Sequence, residues 1–323
     1  MINIAIIGAG QLGSRHLQAL ASVKHVVNIQ VVDPSTDSLK IANERFKEVS
    51  ENFKGKISFL PSMDLLEKKL DVVIVATNSR IRREVIEKLL DHSQVNYLIL
   101  EKFLFVKSED YAFVGNLLEK KKIKTWVNCP RRMMHFYQDL EKRISGNVHF
   151  AATGNAWGIG CNGIHVLDLF AFLTNTQNIV LSTNLIDKTI LESRRKGYIE
   201  FCGTVTGQSD KHSFRMTSFP GNPSEVFITI DTPTARYYIE EGAKGKMRVA
   251  TEENKWKWEE SFFEMPYQSQ LTNIFVDEII ATGNCNLTSY KESETLHLLL
   301  LENFISFLRN VNNNNSINEC PIT

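Results

Sequence analysis

Residues 1–125 alternate short apolar, β-branched runs with amphipathic helical stretches. The runs NIAIIG, VVIVAT and YLILE are almost continuously apolar, which is typical of strands covered on both faces of a sheet. Helical periodicity lies between such runs, near residues 11–22, 36–49, 63–69, 80–91 and 108–120. Because βαβ units place their strands side by side, this alternation predicts a doubly wound parallel sheet.

The pattern changes in the second part of the chain. Segments such as HFAATGNAW, EVFITID and ARYYIEE follow one another at hairpin spacing, with Gly, Pro and Asn turns between them. They predict a mostly antiparallel sheet, interrupted by the helix that carries His165. Two closing helices are expected near 266–282 and 290–310, and the capping-box spacing of Ser289 and Glu292 supports the start of the second.

Together these patterns predict an α/β chain of two domains, for which 323 residues are sufficient. The first, residues 1–125, is a doubly wound parallel sheet of the Rossmann type. The second, residues 126–310, is an α+β domain with a large, mostly antiparallel open sheet. Residues 311–323 form a polar tail.

The composition excludes several classes of function. Lys plus Arg equals Asp plus Glu, at 37 each, so no net charge favours nucleic acid or a membrane surface. The five cysteines form no C-x-x-C pair, which favours reduced thiols over a disulfide framework. The sequence opens on the apolar run INIAIIG rather than a leader peptide, and no apolar run reaches the ~20 residues of a membrane span. We therefore expect a cytoplasmic protein with neither nucleic acid nor membrane as partner.

A glycine-rich turn follows the first apolar run, in the sequence IAIIGAGQLGSRH. Gly8, Gly10 and Gly13 have the G-x-G-x-x-G spacing of dinucleotide-binding turns, in which the glycines permit a tight turn, a close approach of pyrophosphate and close helix packing. Gln11 and Leu12 open the following helix, whose free N–H groups and dipole favour an anion. The motif predicts that the first domain binds a dinucleotide.

Asp33 supports this interpretation and indicates which dinucleotide is bound. It ends the second apolar run, twenty positions after Gly13, where an acidic residue accepts a hydrogen bond from a ribose 2′-OH. A carboxylate there repels the 2′-phosphate of NADP, and neither Ser35 nor Thr36 supplies a positive charge. NAD is therefore predicted in preference to NADP. A doubly wound domain without a dinucleotide remains the alternative.

Two residues at the end of the run LILEKFLF are candidates for chemistry. Ligands of open α/β sheets bind at the carboxyl ends of strands, so Glu101 and Lys102 are expected near the nicotinamide. A Lys there is a plausible proton acceptor, since a positive neighbour disfavours its charged form. From the residues alone, an ordinary strand-end ion pair between Lys102 and Glu101 is equally consistent.

The order of the motifs resembles the Gfo/Idh/MocA oxidoreductases over essentially the whole chain. The matching features are the glycine motif, VATNS, EKF, the arginines at 131–132 and GCNGIHVLD. The resemblance implies an N-terminal dinucleotide-binding domain and a C-terminal domain with a large open sheet. It also implies oxidation or reduction of sugars, inositols or nucleotide-linked sugars, and a homodimer or homotetramer formed through the open sheet.

The resemblance assigns roles in the first domain. Thr77 and Asn78 lie where the family's loop after the fourth strand passes along the cofactor. Glu101 and Lys102 match the E-K-P motif, whose lysine is catalytic or orients the substrate. Phe103 replaces the proline of that motif, so we expect an ordinary trans peptide bond here.

The resemblance assigns further roles after the sixth strand. Arg132 matches an arginine at the edge of the family's substrate cleft. His165 and Asp168 match D-x-G-x-H-x-x-D, as a proton-handling histidine and the carboxylate that orients it. The first aspartate of the pattern is Cys161 here, which would suit an anionic substrate better than a carboxylate would. Asn155, Trp157 and Asn162 flank this cluster and are candidates for contact with a sugar ring.

Residues 161, 165 and 168 share one helix face by their i, i+4 and i+7 spacing, and alternatives to catalysis remain open there. His165 and Asp168 could be a buried core pair, and Cys161 could complete a metal site with them, although no fourth ligand has recognisable spacing. We expect no metal.

The leading prediction is an NAD(H)-dependent oxidoreductase that transfers a hydride between nicotinamide and a sugar, sugar acid or nucleotide-linked sugar. One alternative is a lyase or glycosidase that uses bound NAD for transient oxidation. Another is a non-catalytic dinucleotide-binding sensor, which the departures at Phe103 and Cys161 would favour.

Overall fold

The computed structural model describes residues 1–176, 178–242 and 244–323. These residues divide into two compact units. The first unit comprises Met1–Phe105, Glu109–Met133 and Pro266–Ser293, and the second comprises Val106–Ser108, Met134–Met265 and Glu294–Thr323. Each unit therefore draws on segments that are far apart in the sequence.

The elements follow the chain in three stretches. The first stretch holds β1 Ile2–Ile7, α1 Gln11–Leu20, β2 Val27–Val32, α2 Thr36–Lys47, β3 Lys56–Leu60, β4 Lys69–Val75, α3 Arg82–His92, β5 Gln94–Leu100, α4 Glu109–Lys121 and β6 Lys124–Val127. The middle stretch holds α5 His135–Glu141, β7 His149–Asn155, α6 Ile159–Thr174, β8 Val180–Ile186, β9 Leu191–Glu192, β10 Ile199–Glu200, β11 Gly203–Ser209, β12 His212–Phe219, β13 Phe227–Asp231, β14 Ala235–Glu240, β15 Lys244–Thr251 and β16 Glu259–Glu264. The last stretch holds α7 Gln268–Thr282, β17 Thr288–Ser289 and α8 Tyr290–Asn312.

The described part of the first unit contains a seven-stranded sheet in the order β17-β6-β5-β4-β1-β2-β3. All neighbouring strands from β6 to β3 run parallel, and only the short β17 pairs antiparallel, with β6. The central strands are almost fully buried because helices cover both faces, which explains their apolar sequences. The strand order is that of a doubly wound Rossmann sheet.

The described part of the second unit contains an eight-stranded sheet in the order β16-β15-β14-β13-β7-β12-β11-β8. Its pairs are antiparallel except for β7 with β12. Helix α6 packs on one face, where Phe170 contacts Phe150 and Phe214 at centroid distances of 5.8 and 5.2 Å. The predicted fold class, a parallel Rossmann sheet followed by a mostly antiparallel open sheet, is confirmed.

Two local features differ from the sequence patterns. The helix expected near 63–69 is a single 3₁₀ turn, Met63–Leu65, because Leu66 is already extended and β4 begins at Lys69. The tail after α8 is polar in sequence but ends in buried residues. Cys320 N–H donates to the Val106 carbonyl at 2.9 Å, and Cys320 and Ile322 are fully buried in the second unit.

No helix among residues 1–176, 178–242 and 244–323 is long and apolar enough to cross a membrane.

Candidate functional site

The glycine-rich turn between β1 and α1 has the geometry of a dinucleotide-binding loop. Gly8 has a φ of +100°, a conformation that other L-residues rarely adopt. A Cβ on Gly13 would lie 1.8 Å from the Gly8 carbonyl oxygen, so only glycine permits the helix to start this close to the turn. A Cβ on Gly10 would meet nothing within 4 Å, which leaves open space beside the loop.

Helix α1 begins with features that suit an anion. Its N-cap residue, Gly10, has no side chain to bond the first N–H groups, and its first turn holds no acidic residue. Gln11 is exposed and Leu12 half-buried at this end. Unsatisfied N–H groups and the positive end of the helix dipole together favour a bound phosphate.

Asp33 is fixed beside the same loop. Its Oδ2 accepts a hydrogen bond from Ala9 N–H at 2.8 Å, and its Oδ1 accepts one from Ser35 N–H at 2.8 Å. The half-buried carboxylate is therefore held in place by the backbone of the glycine loop. A fixed carboxylate at the end of β2 is suited to accept the hydroxyls of an adenosine ribose.

Thr77 and Asn78 follow β4 on the same edge of the sheet. The Thr77 carbonyl accepts a hydrogen bond from Arg82. The Thr77 hydroxyl is buried and has no hydrogen-bond partner among the described residues. Because buried polar atoms are almost always bonded, this hydroxyl and the open space at Gly10 fit a bound dinucleotide.

Glu101, at the end of β5, is the centre of a buried hydrogen-bond network. His16 Nε2 lies 2.8 Å from Glu101 Oε1, and Asn128 Nδ2 donates to the same oxygen at 2.5 Å. His16 Nδ1 lies 2.8 Å from Thr272 Oγ1, and Asn128 also donates to Gln268 at 2.8 Å. The network thus joins α1, β5, β6 and α7 within the first unit.

These contacts keep Glu101 ionised. Burial alone would raise the pKa of this carboxyl, but the hydrogen bond and electrostatic contribution of His16, the Asn128 amide and the charge of Lys102 together hold the pKa below its ordinary value of 4.5. An ionised carboxylate only accepts hydrogen bonds, so the proton shared with His16 resides on Nε2. Sequence reasoning missed His16 and Asn128, because their only local signal is a polar residue within an otherwise apolar face.

The backbone after Glu101 differs from the expectation. The peptide bond between Lys102 and Phe103 is cis, so the predicted trans bond is wrong. Buried Arg82 donates to the carbonyls of Phe103 and Leu104, the latter at 2.8 Å. The prediction rested on residue type alone and did not include this contact with α3. Lys102 itself is half-buried at the carboxyl edge of the sheet.

Arg132 lies in the first unit, where it is buried and forms an ion pair with Glu292. The distance from Nη2 to Oε1 is 2.8 Å, and the exposed fractions of the two side chains are 8% and 23%. The Glu292 carboxylate therefore already pairs with the Arg132 guanidinium, which the family resemblance places at the edge of the substrate cleft.

Helix α6 carries the sequence-predicted cluster of the second unit. Cys161 and His165 are half-buried, and Asp168 is 1% exposed. They lie on one face of α6, as their spacing predicts. The described residues contain no group of three or more His, Cys, Asp or Glu side chains arranged to hold a metal ion, so the metal alternative for this cluster has no geometric support.

The flanking candidates lie where β7 leads into α6. Trp157 Nε1 donates to the Thr217 carbonyl at 2.7 Å, which fixes the orientation of the indole. Asn162 Nδ2 donates to the Trp157 carbonyl at 2.6 Å. Asn155 ends β7, half-buried, and its N–H donates to Ser224 Oγ at 2.9 Å.

Glu200 also lies in this region, and no sequence motif indicated it. Its carboxylate accepts Gly160 N–H at 2.8 Å and Cys161 N–H at 3.0 Å, and so caps the first turn of α6. Glu200 lies on β10, 39 positions from Cys161, too far for any local pattern to indicate the pairing. The side chain of Cys161 carries no carboxylate, but the Glu200 carboxylate lies at the Cys161 backbone N–H.

These features define the chain as a dinucleotide-binding protein of the Rossmann type. Residues 2–129 match the family model described as "Oxidoreductase family, NAD-binding Rossmann fold". The predicted resemblance to the Gfo/Idh/MocA oxidoreductases is thereby confirmed for residues 2–129. The family binds NAD(P).

Solved structures with the same fold cover nearly the whole chain. An oxidoreductase from Agrobacterium radiobacter in complex with NAD+, L-tartaric acid and magnesium has 15% identity and a TM-score of 0.71, over 96% of this chain and 97% of that one. The transcriptional regulator Gal80p from Kluyveromyces lactis has 16% identity and a TM-score of 0.69, over 96% and 90%. The UDP-N-acetylglucosamine 3-dehydrogenase GnnA from Acidithiobacillus ferrooxidans has 13% identity and a TM-score of 0.68, over 94% and 96%. At such identities the likeness shows the fold alone.

No match was found among curated protein sequences.

The loop glycines provide a matched pair of substitutions. Gly13→Ala places a Cβ 1.8 Å from a backbone oxygen and is expected to cost about 3 kcal/mol or more of unfolding free energy, since backbone must move. Gly10→Ala meets open space and is expected to change stability by less than about 1 kcal/mol. Urea unfolding of both variants measures the difference, and equal losses would contradict the loop geometry.

The Glu101 network predicts a pH-dependent contribution to stability. Its folded pKa lies below its unfolded value, so the stabilisation is complete above about pH 4.5 and declines as the pH falls through the folded pKa. Glu101→Gln is expected to cost about 1.5–3 kcal/mol at pH 7. The gap between wild type and variant should shrink below pH 4.5 in urea unfolding.

The control is Glu51→Gln, which replaces an exposed carboxylate in a turn of the same unit by a carboxamide. It should leave the free energy of unfolding unchanged at either pH. A Glu101→Gln penalty that stays constant from pH 7 to pH 4 would show that the ionised form is not what the network stabilises.

Proposed function

We propose that the protein is an NAD(H)-dependent dehydrogenase or reductase that acts on a CH–OH group of a sugar, sugar acid or nucleotide-linked sugar. The observation that carries the proposal is the glycine loop with Asp33 pinned to it and open space at Gly10. The family match and the printed activity of the structurally similar UDP-N-acetylglucosamine 3-dehydrogenase support it.

The residues proposed to hold the dinucleotide all lie in the first unit. The loop N–H groups and the start of α1 would bind the pyrophosphate, and Asp33 would accept the ribose hydroxyls of NAD in preference to NADP. Thr77, Asn78 and Glu101 would line its nicotinamide half. When bound, nicotinamide supplies the hydride donor or acceptor. The full set is Gly8, Gly10, Gln11, Leu12, Gly13, Asp33, Thr77, Asn78 and Glu101.

Proton transfer is assigned to Lys102 and His165. Either side chain can take or return the proton of a substrate hydroxyl, and buried Asp168 is proposed to orient the imidazole of His165 and favour its charged form. Arg132, Asn155, Trp157, Cys161 and Asn162 are the proposed substrate contacts. Arg132 would have to act while paired with Glu292.

Asp33→Ala tests the cofactor assignment. Loss of a fixed carboxylate should weaken NADH binding roughly tenfold, because about one charge-assisted hydrogen bond is lost, and should reduce the preference over NADPH. Nicotinamide fluorescence during titration with each cofactor measures both effects. Asp37→Ala, on the exposed first turn of α2, is the control and should bind NADH normally. Equal affinity of the wild type for NADH and NADPH would contradict the NAD assignment.

A regulatory protein is the second candidate, favoured by the structural likeness to the regulator Gal80p. Lys102→Ala and His165→Ala separate the two functions. If the protein is an enzyme, each should reduce turnover of nicotinamide, followed at 340 nm with sugar substrates, by roughly 100-fold or more while NADH binding is retained. Wild type that binds NADH but reduces no sugar-type carbonyl and oxidises no sugar-type alcohol would favour the sensor.

We also propose that the open sheet of the second unit forms a homodimer or homotetramer, and that the protein is cytoplasmic. Helix α6 packs on one face of the sheet, and by strand register the other face carries Phe219, Tyr238 and Phe262, which are exposed. Exposed aromatic residues on an open sheet favour association. Light scattering should give a multiple of 36.8 kDa, and a stable monomer would contradict the proposal.

The cytoplasmic location is supported by the cysteines. All five, each described, are free thiols, which suits a reducing compartment.

A further inference from the structure

The second unit contains a cavity of about 500 Å³ at the start of α6. Trp157, Cys161 and Asn162 line it from the α6 side, and Glu200 and Ser218 line it from β10 and β12. The hairpin of β9 and β10 contributes Glu192 and Arg194 at the rim. The cavity therefore belongs to one unit and is built around the residues that cap α6.

Ser218 is an independent sign that this cavity receives a ligand. The residue is fully buried, yet its hydroxyl has no nitrogen or oxygen partner among the described residues. Its side chain hydrogen-bonds to the thiol of Cys202, which is a weak hydrogen-bonding group. A buried hydroxyl left without a strong partner at the wall of a cavity is suited to a polar ligand.

Glu200 provides the strongest polar group of the cavity. Backbone N–H groups hold both of its oxygens, at 2.8 and 3.0 Å, so its position is fixed by the first turn of α6. A carboxylate offers about four acceptor positions and can receive donors in addition to backbone N–H groups. It can accept hydroxyl groups but cannot donate to a ligand carboxylate.

The charge of the lining disfavours an anion. Among the described lining residues, Glu192 and Glu200 are carboxylates and Arg194 is the guanidinium, which leaves one net negative charge. Burial, together with the charges of Asp187 and Glu200, raises the pKa of the Cys202 thiol, so this group stays neutral. Arg194 is exposed at the rim, whereas Glu200 is half-buried.

The cavity also offers an apolar surface of fixed orientation. Trp157 is largely buried and anchored by its Nε1–H to the Thr217 carbonyl. Sugar rings combine an apolar face with hydroxyls at the edge, so an anchored indole beside a carboxylate and a hydroxyl suits such a ring.

We propose that this cavity binds the uncharged, polyhydroxylated ring of the substrate, with Glu200 as the specificity-determining residue that accepts ring hydroxyls and excludes ring carboxylates. The inference rests on the proposed function and narrows it to neutral rings, against the anionic preference that Cys161 alone suggested. Ser218 contributes one further hydroxyl contact.

The test compares matched probe pairs on the full-length protein by calorimetric or ligand-observed NMR titration. The pairs are glucose with glucuronate, galactose with galacturonate, and UDP-glucose with UDP-glucuronate, which differ only at the exocyclic C6, a CH2OH group in one member and a carboxylate in the other. For at least one pair, the wild type should bind the neutral member about tenfold more tightly than the uronate, the effect of one like charge a few ångströms away in partly hydrated surroundings. Glu200→Gln should reduce this ratio to about threefold or less, because the repelling charge is gone.

Three further variants complete the design. Glu252→Gln removes an exposed carboxylate in a turn of the same unit, outside the cavity, and should keep the wild-type ratio. Ser218→Ala should weaken the binding of the neutral probe several-fold, and the neutral probe should still bind more tightly than the uronate. If Glu200→Gln fails to fold, Cys161→Asp replaces it as the test, since a second carboxylate in the cavity should raise the ratio further.

Equal affinity of the wild type for both members of every pair overturns the inference, as does failure of every neutral probe to bind. A ratio that Glu200→Gln or Cys161→Asp leaves unchanged also overturns it. Titration of the same samples with NADH distinguishes failure of the proposed function from failure of the proposed role of Glu200. Absence of NADH binding would overturn the proposed function, while the neutral-to-uronate ratio would still report on Glu200.

Discussion

The buried contact between His16 and Glu101 is the interaction on which the first unit depends. A carboxylate without exposure to water is costly unless charged and polar groups surround it. Here the imidazole of His16 and the amide of Asn128 supply those groups, and both are themselves held by α7 residues. Removing one partner would leave a buried charge unsatisfied, so α1, β5, β6 and α7 must assemble together. Lys102 directly follows Glu101, so the same contacts fix the backbone position of Lys102.

The second unit also contains a carboxylate that is held in place by hydrogen-bond donors from a distant part of the chain. The first turn of α6 has free N–H groups, and Glu200 satisfies two of them from a strand of the β9–β10 hairpin. In both units a carboxylate is fixed by donors that the local sequence does not provide. The fixed charge then sets the electrostatic surroundings of a candidate functional residue, Lys102 in the first unit and Cys161 in the second.

The features that could be predicted from the sequence are those that depend on local rules. Near-continuous apolar strands, the Gly8 turn and the spacing to Asp33 each follow from the period of an element or the steric demand of one position. The features that could not be predicted depend on distant partners. Arg82 reaches the carbonyl of Phe103 across 21 positions, and His16 meets Thr272 across 256. A rule based on residue type therefore gave the wrong peptide geometry after Lys102.

The choice between enzyme and sensor cannot be made from the fold, because an oxidoreductase and a regulator both match it with TM-scores of 0.71 and 0.69. It depends on side chains beyond the dinucleotide loop. The two departures that favoured a sensor, Phe103 and Cys161, each have a counterpart in the structure. Arg82 bonds the backbone at Phe103, and Glu200 returns a carboxylate to the backbone of Cys161. Each departure is therefore accompanied by a long-range contact to its backbone from the same unit.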